Sequence, residues 1–271
     1  MQITFLEAAN GLRLSKRHSP INGFTPYPHV KNVTSHKEQL PTDITGLAML
    51  EQSIRTNGEK GFCLLKGNLK RDLHNESRAG KTDRIGYSSL LVLDIDGITL
   101  PNHTNPKQFT DKDVGSLAKS VMRELPPEVQ DCSFIAQASS SLGLKGDKIS
   151  LHIFVLLTHA MPAAAIKLWL QNCNFESKLF SSQLELSSNG HSLKYPLDTS
   201  VADNSKLIFV APPTFEDGTH DPFGSSSERI VRVSGLSDTL DLAALMNDIS
   251  PELIRQKGRE FKNKLRTQRG F

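Results

Sequence analysis

The sequence predicts an α+β protein in which a small α/β module precedes a βαββαβ module. Four runs of apolar, strand-forming residues lie at 88–96, 132–138, 149–157 and 207–210. Apolar residues at helical spacing separate the first run from the second, and the third from the fourth. No such helix separates the second run from the third, which indicates an antiparallel pair. At 271 residues, the chain is long enough to bury a sizeable core.

Residues 1–86 are expected to form the first module. Residues 1–40 read as irregular because prolines punctuate them. A helix is expected next, with Thr42 or Asp43 as its N-cap and with one apolar face. A short buried strand at 61–65 and a charged, glycine-containing loop complete this module.

Residues 87–237 are expected to form the βαββαβ module, with helices over 113–125 and 162–172. This order of elements is that of ferredoxin-like and RRM-like folds. In that topology the first and third strands form the central pair and the fourth strand flanks the first. The run at 88–96 should therefore lie beside the run at 149–157.

Residues 238–271 are expected to be a basic helical tail or linker. Within this segment, 251–271 contains seven basic residues against two acidic ones, and the whole chain has a net charge of only +3. A basic tail on a near-neutral body indicates contact with a polyanion or a position between domains, and a solvated helix face is an equally open alternative. The basic side chains that would make a polyanion contact are Arg255, Lys257, Arg259, Lys262 and Lys264.

The cysteines Cys63, Cys132 and Cys173 lie far apart and in apolar surroundings. They predict buried thiols, with neither a disulfide framework nor a structural zinc site. No apolar run reaches 18 residues, and the N-terminus lacks the apolar segment of a signal peptide. We therefore expect a soluble, cytoplasmic protein without a membrane partner.

The stretch 90–97, which reads LLVLDIDG, combines a buried strand with two acids. Because side chains alternate faces along a strand, Asp94 and Asp96 should point the same way. Two such carboxylates are costly to bury unless a cation lies between them, and divalent metal ions prefer oxygen ligands. The alternative is a pair of solvated acids beside a turn at Gly97.

Ser150 and His152 show the same spacing of two, so the hydroxyl and the imidazole should share the sheet face that carries the acids. A hydrogen-bonded core histidine is the alternative. The loop before them contains Lys145 and Lys148, whose charges suit phosphate oxygens. A flexible surface loop would have the same composition.

A third acid, Asp198, precedes the last strand of the module, and Lys206 opens that strand. Asp198 could instead be an N-cap or turn residue, and Asp203 is a rival for its role. Three acids from separate segments around a metal-bound triphosphate describe the two-metal arrangement of phosphoryl or nucleotidyl transfer.

Three short motifs resemble, in order and spacing, those of the archaeo-eukaryotic primase superfamily. They are apolar-Asp-Ile-Asp at 91–96, Ser-Leu-His at 150–152 and Leu-Asp-Thr at 197–199. The resemblance covers about 60–215 and is greatest to the primase-polymerases of phages, plasmids and mobile elements. It implies a template-directed nucleotidyltransferase, that is, a DNA primase or polymerase.

The resemblance also implies roles for individual residues. Asp94, Asp96 and Asp198 would hold Mg²⁺ or Mn²⁺, and Ser150 and His152 would bind the phosphates of the incoming nucleotide. The lysines that would add positive charge around the nucleotide are Lys145, Lys148 and Lys206. The sequence departs from the family pattern in its last strand region, where arginines are frequent in the family and apolar residues follow the lysine here.

The implied partners are a single-stranded DNA template, deoxyribonucleoside or ribonucleoside triphosphates, and a replicative helicase in the same polypeptide or a separate one. The implied location is the cytoplasm of a bacterium or of a phage-infected cell. The basic tail would then contact nucleic acid.

Two other functions compete with this interpretation. The LDIDG stretch also resembles the first motif of haloacid dehalogenase-like phosphatases, in which Asp94 would be the phosphorylated nucleophile and Asp96 the general acid. That fold requires a parallel sheet, whereas the sequence predicts an antiparallel pair. A non-enzymatic RNA-binding sheet is the third alternative, but its strands would need exposed aromatic residues where this chain has Asp and His.

Overall fold

The computed structural model describes residues 1–21 and 23–270, and its mixed α+β architecture confirms the predicted fold class. The predictions for 1–40 and 238–271 also cover Asn22 and Phe271, which lie outside the described residues. The strands are β1 (Gln2–Ala8), β2 (Arg17–Ser19), β3 (Gly23–Thr25), β4 (Asn32–Gln39), β5 (Cys63–Leu65), β6 (Glu76–Ser77), β7 (Tyr87–Ile98), β8 (Phe134–Ala138), β9 (Ile149–Pro162), β10 (Glu185–Leu186), β11 (Leu193–Lys194), β12 (Leu207–Ile208), β13 (Thr214–Phe215) and β14 (Ile230–Val233). The α-helices are α1 (Ile44–Glu59), α2 (Asp111–Met122), α3 (Pro127–Gln130), α4 (Ala163–Glu176), α5 (Lys178–Ser182), α6 (Leu242–Leu245) and α7 (Pro251–Arg269).

A four-stranded antiparallel sheet in the order β14-β8-β9-β7 carries the acidic motif. The predicted pairing of the first and third strands is confirmed, because β7 pairs with β9 along most of its length. Helices α2 and α4 both contact β9. Leu93 of β7, Val114 of α2 and Trp169 of α4 belong to the same buried cluster, so helix and sheet share one core.

The prediction that residues 1–40 are irregular is wrong for the described part of that segment. β1 and β4 pair antiparallel, from Gln2 opposite Gln39 to Ala8 opposite Val33, and β1 lies inside a five-stranded sheet of order β12-β5-β1-β4-β6. β4 is largely polar and has no apolar alternation. Its strand conformation depends on pairing with a distant segment, which a local pattern does not reveal.

The predicted fourth strand also differs from expectation. Leu207 and Ile208 of β12 pair with β5, so they extend the N-terminal sheet and do not flank β7. The edge of β7 is instead approached by Leu197, which forms a β-bridge with Ile95, while β14 adds to the opposite edge beside β8. The backbone of 204–206 bonds to Lys66 and its neighbour, which holds this segment on the first module.

The basic tail segment contains α7, which contacts α4 and β10. Ser250 is its N-cap, and its side chain accepts a hydrogen bond from the backbone N–H of Leu253. Ile254 is buried, and Phe261 stacks on Phe175 of α4 with 5.4 Å between ring centroids. Apolar residues at helical spacing thus fix α7 on the body of the protein, with its polar faces outward.

The cysteines match the prediction, since all three are free and buried. Among the described residues, no helix combines the length and apolar character needed to cross a bilayer.

A lysine is buried where the two sheets approach each other. Lys66, at the end of β5, is 3% exposed, and its Nζ donates to Oγ of Ser88 in β7 at 2.9 Å. Burial lowers the pKa of its ammonium to about 7. The group is therefore largely uncharged in the folded protein at pH values where the unfolded chain still binds a proton.

Lys66→Met is expected to stabilise the protein strongly at pH 7 and weakly at pH 10. Between pH 7 and the unfolded pKa of about 10.5, the unfolded chain holds the extra proton, so the wild type loses stability as pH falls. At pH 7 this penalty is on the order of 4 kcal/mol. Denaturant unfolding at both pH values measures it.

The matched control is Lys70→Met, because Lys70 is exposed. Its effect on the free energy of unfolding should be small and independent of pH. If Lys66→Met raises the free energy of unfolding equally at pH 7 and pH 10, the inference that Lys66 is buried in its uncharged form is wrong.

Candidate active site

The acidic motif of β7 lies directly opposite the Ser-Leu-His motif of β9. Asp94 is paired with His152, and Asp96 with Ser150. Residues directly opposite each other in an antiparallel pair project from the same sheet face. The expected juxtaposition of these four side chains is therefore confirmed.

Asp94 is the more buried of the two acids, with 20% of its side chain exposed, whereas Asp96 is exposed. Burial raises the pKa of Asp94, and the neighbouring His152 opposes that rise. Within the described residues, neither carboxylate accepts a hydrogen bond from a protein donor. A buried carboxylate without donors is stabilised best by a cation.

His152 is oriented by a chain of hydrogen bonds from the neighbouring strand. Nε2 of Gln137 donates to the carbonyl oxygen of Val210 at 2.7 Å, which fixes the orientation of the amide. The amide oxygen of Gln137 then faces Nδ1 of His152 at 3.3 Å, so Nδ1 carries the proton. In the neutral ring, Nε2 presents a lone pair 3.6 Å from Oδ1 of Asp94.

Burial is also the main influence on the imidazole, and it lowers the pKa of His152 although Asp94 and Asp96 oppose it. A neutral nitrogen and a carboxylate that face each other can share either a proton or a cation. No local pattern identifies Gln137 as the residue that orients this ring, because the contact depends on strand pairing.

Asp198 is attached to Asp94 through the backbone, because its N–H donates to the Asp94 carbonyl oxygen at 2.8 Å. Its side chain caps the 3-10 turn that begins at Thr199. The carboxylate accepts from the backbone N–H of Ser200 at 2.8 Å, from its Oγ at 2.7 Å, and from Nζ of Lys206 at 3.1 Å. Burial raises the pKa of Asp198, but these partners outweigh it, so the net pKa lies below its usual value.

The acids differ in their fitness to hold a metal ion. Among the described residues, no three Asp, Glu, His or Cys side chains are close enough together to enclose one. Mg²⁺ is commonly held by one or two carboxylates, with water and substrate phosphates completing its shell. Asp94 and Asp96 fit that pattern, whereas Asp198 would first have to release Lys206. The rival acid Asp203 accepts two hydrogen bonds from Ser205, each of 2.7 Å.

Ser150 supports the backbone that follows the second acid. Its Oγ accepts a hydrogen bond from the N–H of Gly97 at 3.0 Å. The strand pairing shifts register between Asp96 and Ile98, and Gly97 has φ +74°, a conformation that favours glycine. The serine, which is 3% exposed, thus holds the bulge that positions Asp96.

The N-terminal module supplies residues that the sequence did not indicate. Burial, together with the charge of Lys145, lowers the pKa of Lys16. The charges of Asp96 and Asp94 oppose this shift and raise the pKa. Nζ of Lys16 lies 5.1 Å from the ring centroid of Tyr27. Lys16 therefore lies within electrostatic range of the acid pair. The position of Lys16 near the acids could not be predicted, because the segment around it has no apolar periodicity.

The two loop lysines lie near the same residues. Nζ of Lys145 is 5.7 Å from the ring centroid of Phe24 and influences the pKa of Lys16. Lys148 passes beside the bulge, because its Cδ would lie 3.8 Å from a Cβ at Gly97. Positive charge therefore gathers around the two acids, as a polyphosphate ligand would require.

The basic residues of the tail are placed on α7. Lys257 forms an ion pair with Glu176 of α4, and Arg255 pairs with Glu252 in its own helix. Arg255, Arg259 and Lys262 line a cleft of about 240 Å³ together with Tyr195. Lys264 is exposed. The residues that influence the pKa of Asp94 include none from α7.

Comparison of the chain with protein-family models, with curated proteins and with solved structures finds no match.

Asp94→Asn is expected to lower the pKa of His152 further, because the Asp94 charge favours the imidazolium. NMR titration of the imidazole in buffer with a metal chelator measures this pKa, with the resonance assigned by His152→Gln. Asp72→Asn, which changes an exposed acid paired with Lys37, is the control and should leave the pKa unchanged. A pKa that stays constant or rises in Asp94→Asn would contradict the geometry.

Proposed function

We propose that the chain is a template-directed nucleotidyltransferase, a DNA primase or polymerase of the archaeo-eukaryotic primase type. The observation that carries the proposal is the register of β7 and β9, which places Asp94 opposite His152 and Asp96 opposite Ser150. In this proposal, the unit built from β7, α2, β8, β9 and α4 is an RRM-like catalytic module. The N-terminal module covers its acidic face with Lys16.

Asp94 and Asp96 are proposed to hold Mg²⁺ or Mn²⁺ together with the triphosphate. Such ions lower the pKa of the attacking 3′-hydroxyl and stabilise charge on the pyrophosphate that leaves. The fit rests on two carboxylates that accept no hydrogen bond from a donor in the described part of the chain, one of them with a pKa raised by burial. Asp198 would join them once Lys206 is drawn to another anion.

The phosphates of the incoming nucleotide are proposed to contact the cations around the acid pair. His152 can donate from Nε2 only when its ring is protonated, and a bound phosphate favours that state. Lys16, which lies outside the three motifs, adds a further positive charge. The other proposed cations are Lys145, Lys148 and Lys206.

The strand arrangement favours this function over the phosphatase alternative. β8 and β9 are antiparallel, as are β7 and β9, whereas that fold places its acids at the end of a parallel strand. The proposed partners are a single-stranded DNA template, deoxyribonucleoside or ribonucleoside triphosphates, and a replicative helicase. The basic face of α7 is proposed as a further contact for nucleic acid.

Wild-type protein should extend or initiate strands on single-stranded DNA with nucleoside triphosphates and Mn²⁺ or Mg²⁺. Asp94→Ala and Asp96→Ala are each expected to reduce product by about 100-fold or more, because the metal loses a ligand. Gel analysis of labelled product, run separately with each nucleotide class, provides the measurement.

Asp72→Asn serves as the matched control and should retain full activity, since Asp72 is exposed and remote from both motifs. A wild type that makes no product with either nucleotide class, or product that persists in both acid variants, rules out the proposed function.

A further inference from the structure

A groove lined by basic side chains begins at Lys206. An open cavity of about 590 Å³ has Lys206 in its wall, and its other charged side chains are Arg78, Arg84, Lys167 and the single acid Asp203. A second cavity of about 320 Å³ shares both arginines and adds Lys31.

A third cavity of about 450 Å³ continues from the second. It shares three lining residues with that cavity, Arg84 among them, and adds Lys70 and the acid Asp83. Ile85, in its wall, is 88% exposed. The three cavities are neighbours that share lining residues, and together they are here called the basic groove.

The charge of the basic groove is largely uncompensated. Arg84 and Lys167 are exposed, and among the described residues neither has a hydrogen-bond or ion-pair partner. Both lower the pKa of Asp203, whose carboxylate is already held by Ser205. Nη1 of Arg78 donates to the carbonyl oxygen of Ser205 at 2.6 Å, so this cation is fixed in the wall.

An aromatic ring lies in the same wall. Phe209 lines the first cavity and is partly exposed. Tyr27 stacks on it with 3.6 Å between ring centroids and an interplanar angle of 9°, which holds the Phe209 ring in place. Grooves that bind single-stranded nucleic acid combine cations along the backbone with a fixed aromatic surface for a base.

We propose that the basic groove binds the sugar-phosphate backbone of single-stranded nucleic acid, with a base against Phe209. The identity of the ligand rests on the proposed function. Lys206 connects the groove to the third acid, because it lines the groove and its Nζ donates to the Asp198 carboxylate. A phosphate near Lys206 competes with Asp198 for the ammonium, so a bound strand would free that carboxylate for a metal ion.

Fluorescence anisotropy of a labelled oligothymidine of about 12 nucleotides, without divalent metal, tests this site. The double variant Arg84→Gln/Lys167→Gln should bind at least about 10-fold more weakly at about 0.1 M salt. The slope of log affinity against log salt should fall by about 1.4, or ~0.7 for each lost phosphate contact. Phe209→Leu should weaken binding and leave the slope unchanged, because it removes stacking and no charge.

Lys112→Gln/Lys119→Gln is the matched control, since it removes two exposed charges from α2, away from the groove lining. It should bind as the wild type does. Unchanged affinity in the Arg84/Lys167 variant overturns the proposal. The proposal is also overturned if Arg84→Gln/Lys167→Gln loses affinity for a labelled nucleoside triphosphate and keeps its affinity for the oligothymidine. The groove would then bind the nucleotide and not a strand.

The binding test needs neither metal nor turnover, so its outcome is separate from that of the polymerase assay. A wild type that binds through the groove but makes no product would contradict the enzymatic function alone.

Discussion

The register between β7 and β9 decides which side chains of the two strands face the core and which form the candidate site. A shift of one residue would move Leu93 and Ile95 out of the core and turn both acids into it. The favourable free energy of burying the apolar side chains on both strands therefore offsets the cost of holding Asp94 in a partly desolvated position. The bulge at Gly97, held by Ser150, then ends the regular pairing just after the second acid.

The site also depends on contacts between the two modules. β12 pairs with β5 and not with the central sheet. The chain that follows β12 places the carbonyl oxygen of Val210 where it accepts a hydrogen bond from Nε2 of Gln137. That hydrogen bond orients the amide that holds His152. From the N-terminal part of the chain, Oη of Tyr27 lies 3.3 Å from Oγ of Ser140, and the ring of Tyr27 stacks on Phe209. Residues from the N-terminal part of the chain therefore support residues around the candidate site.

The parts of the fold that were predictable from sequence are those with strong local patterns. β7, β8 and β9 contain apolar runs, helix α2 shows an apolar period, and the spacing of two places Asp94 and Asp96 on one face. β4 was missed because its residues are polar and its conformation depends on β1. The predicted position of β12 beside β7 was wrong, because the same apolar run can pair with the central sheet or with the N-terminal sheet.

The candidate site was predictable to a similar degree. Pairing of the two motif-bearing strands follows from the predicted topology, whereas Gln137 and Lys16 come from segments whose approach no local pattern specifies. Asp198 was expected near the acids and bonds to Asp94 through the backbone, but its side chain is engaged by Lys206, which sequence spacing does not show.

Asp94 and Asp96 are proposed to hold a divalent ion together with a nucleoside triphosphate. Calorimetric titration with a non-hydrolysable nucleoside triphosphate, with and without Mn²⁺, measures whether they do. Mn²⁺ should strengthen triphosphate binding by about 10-fold or more in the wild type and leave it unchanged in Asp94→Asn/Asp96→Asn. Equal strengthening by Mn²⁺ in both proteins would show that the ion is held elsewhere and would contradict this account.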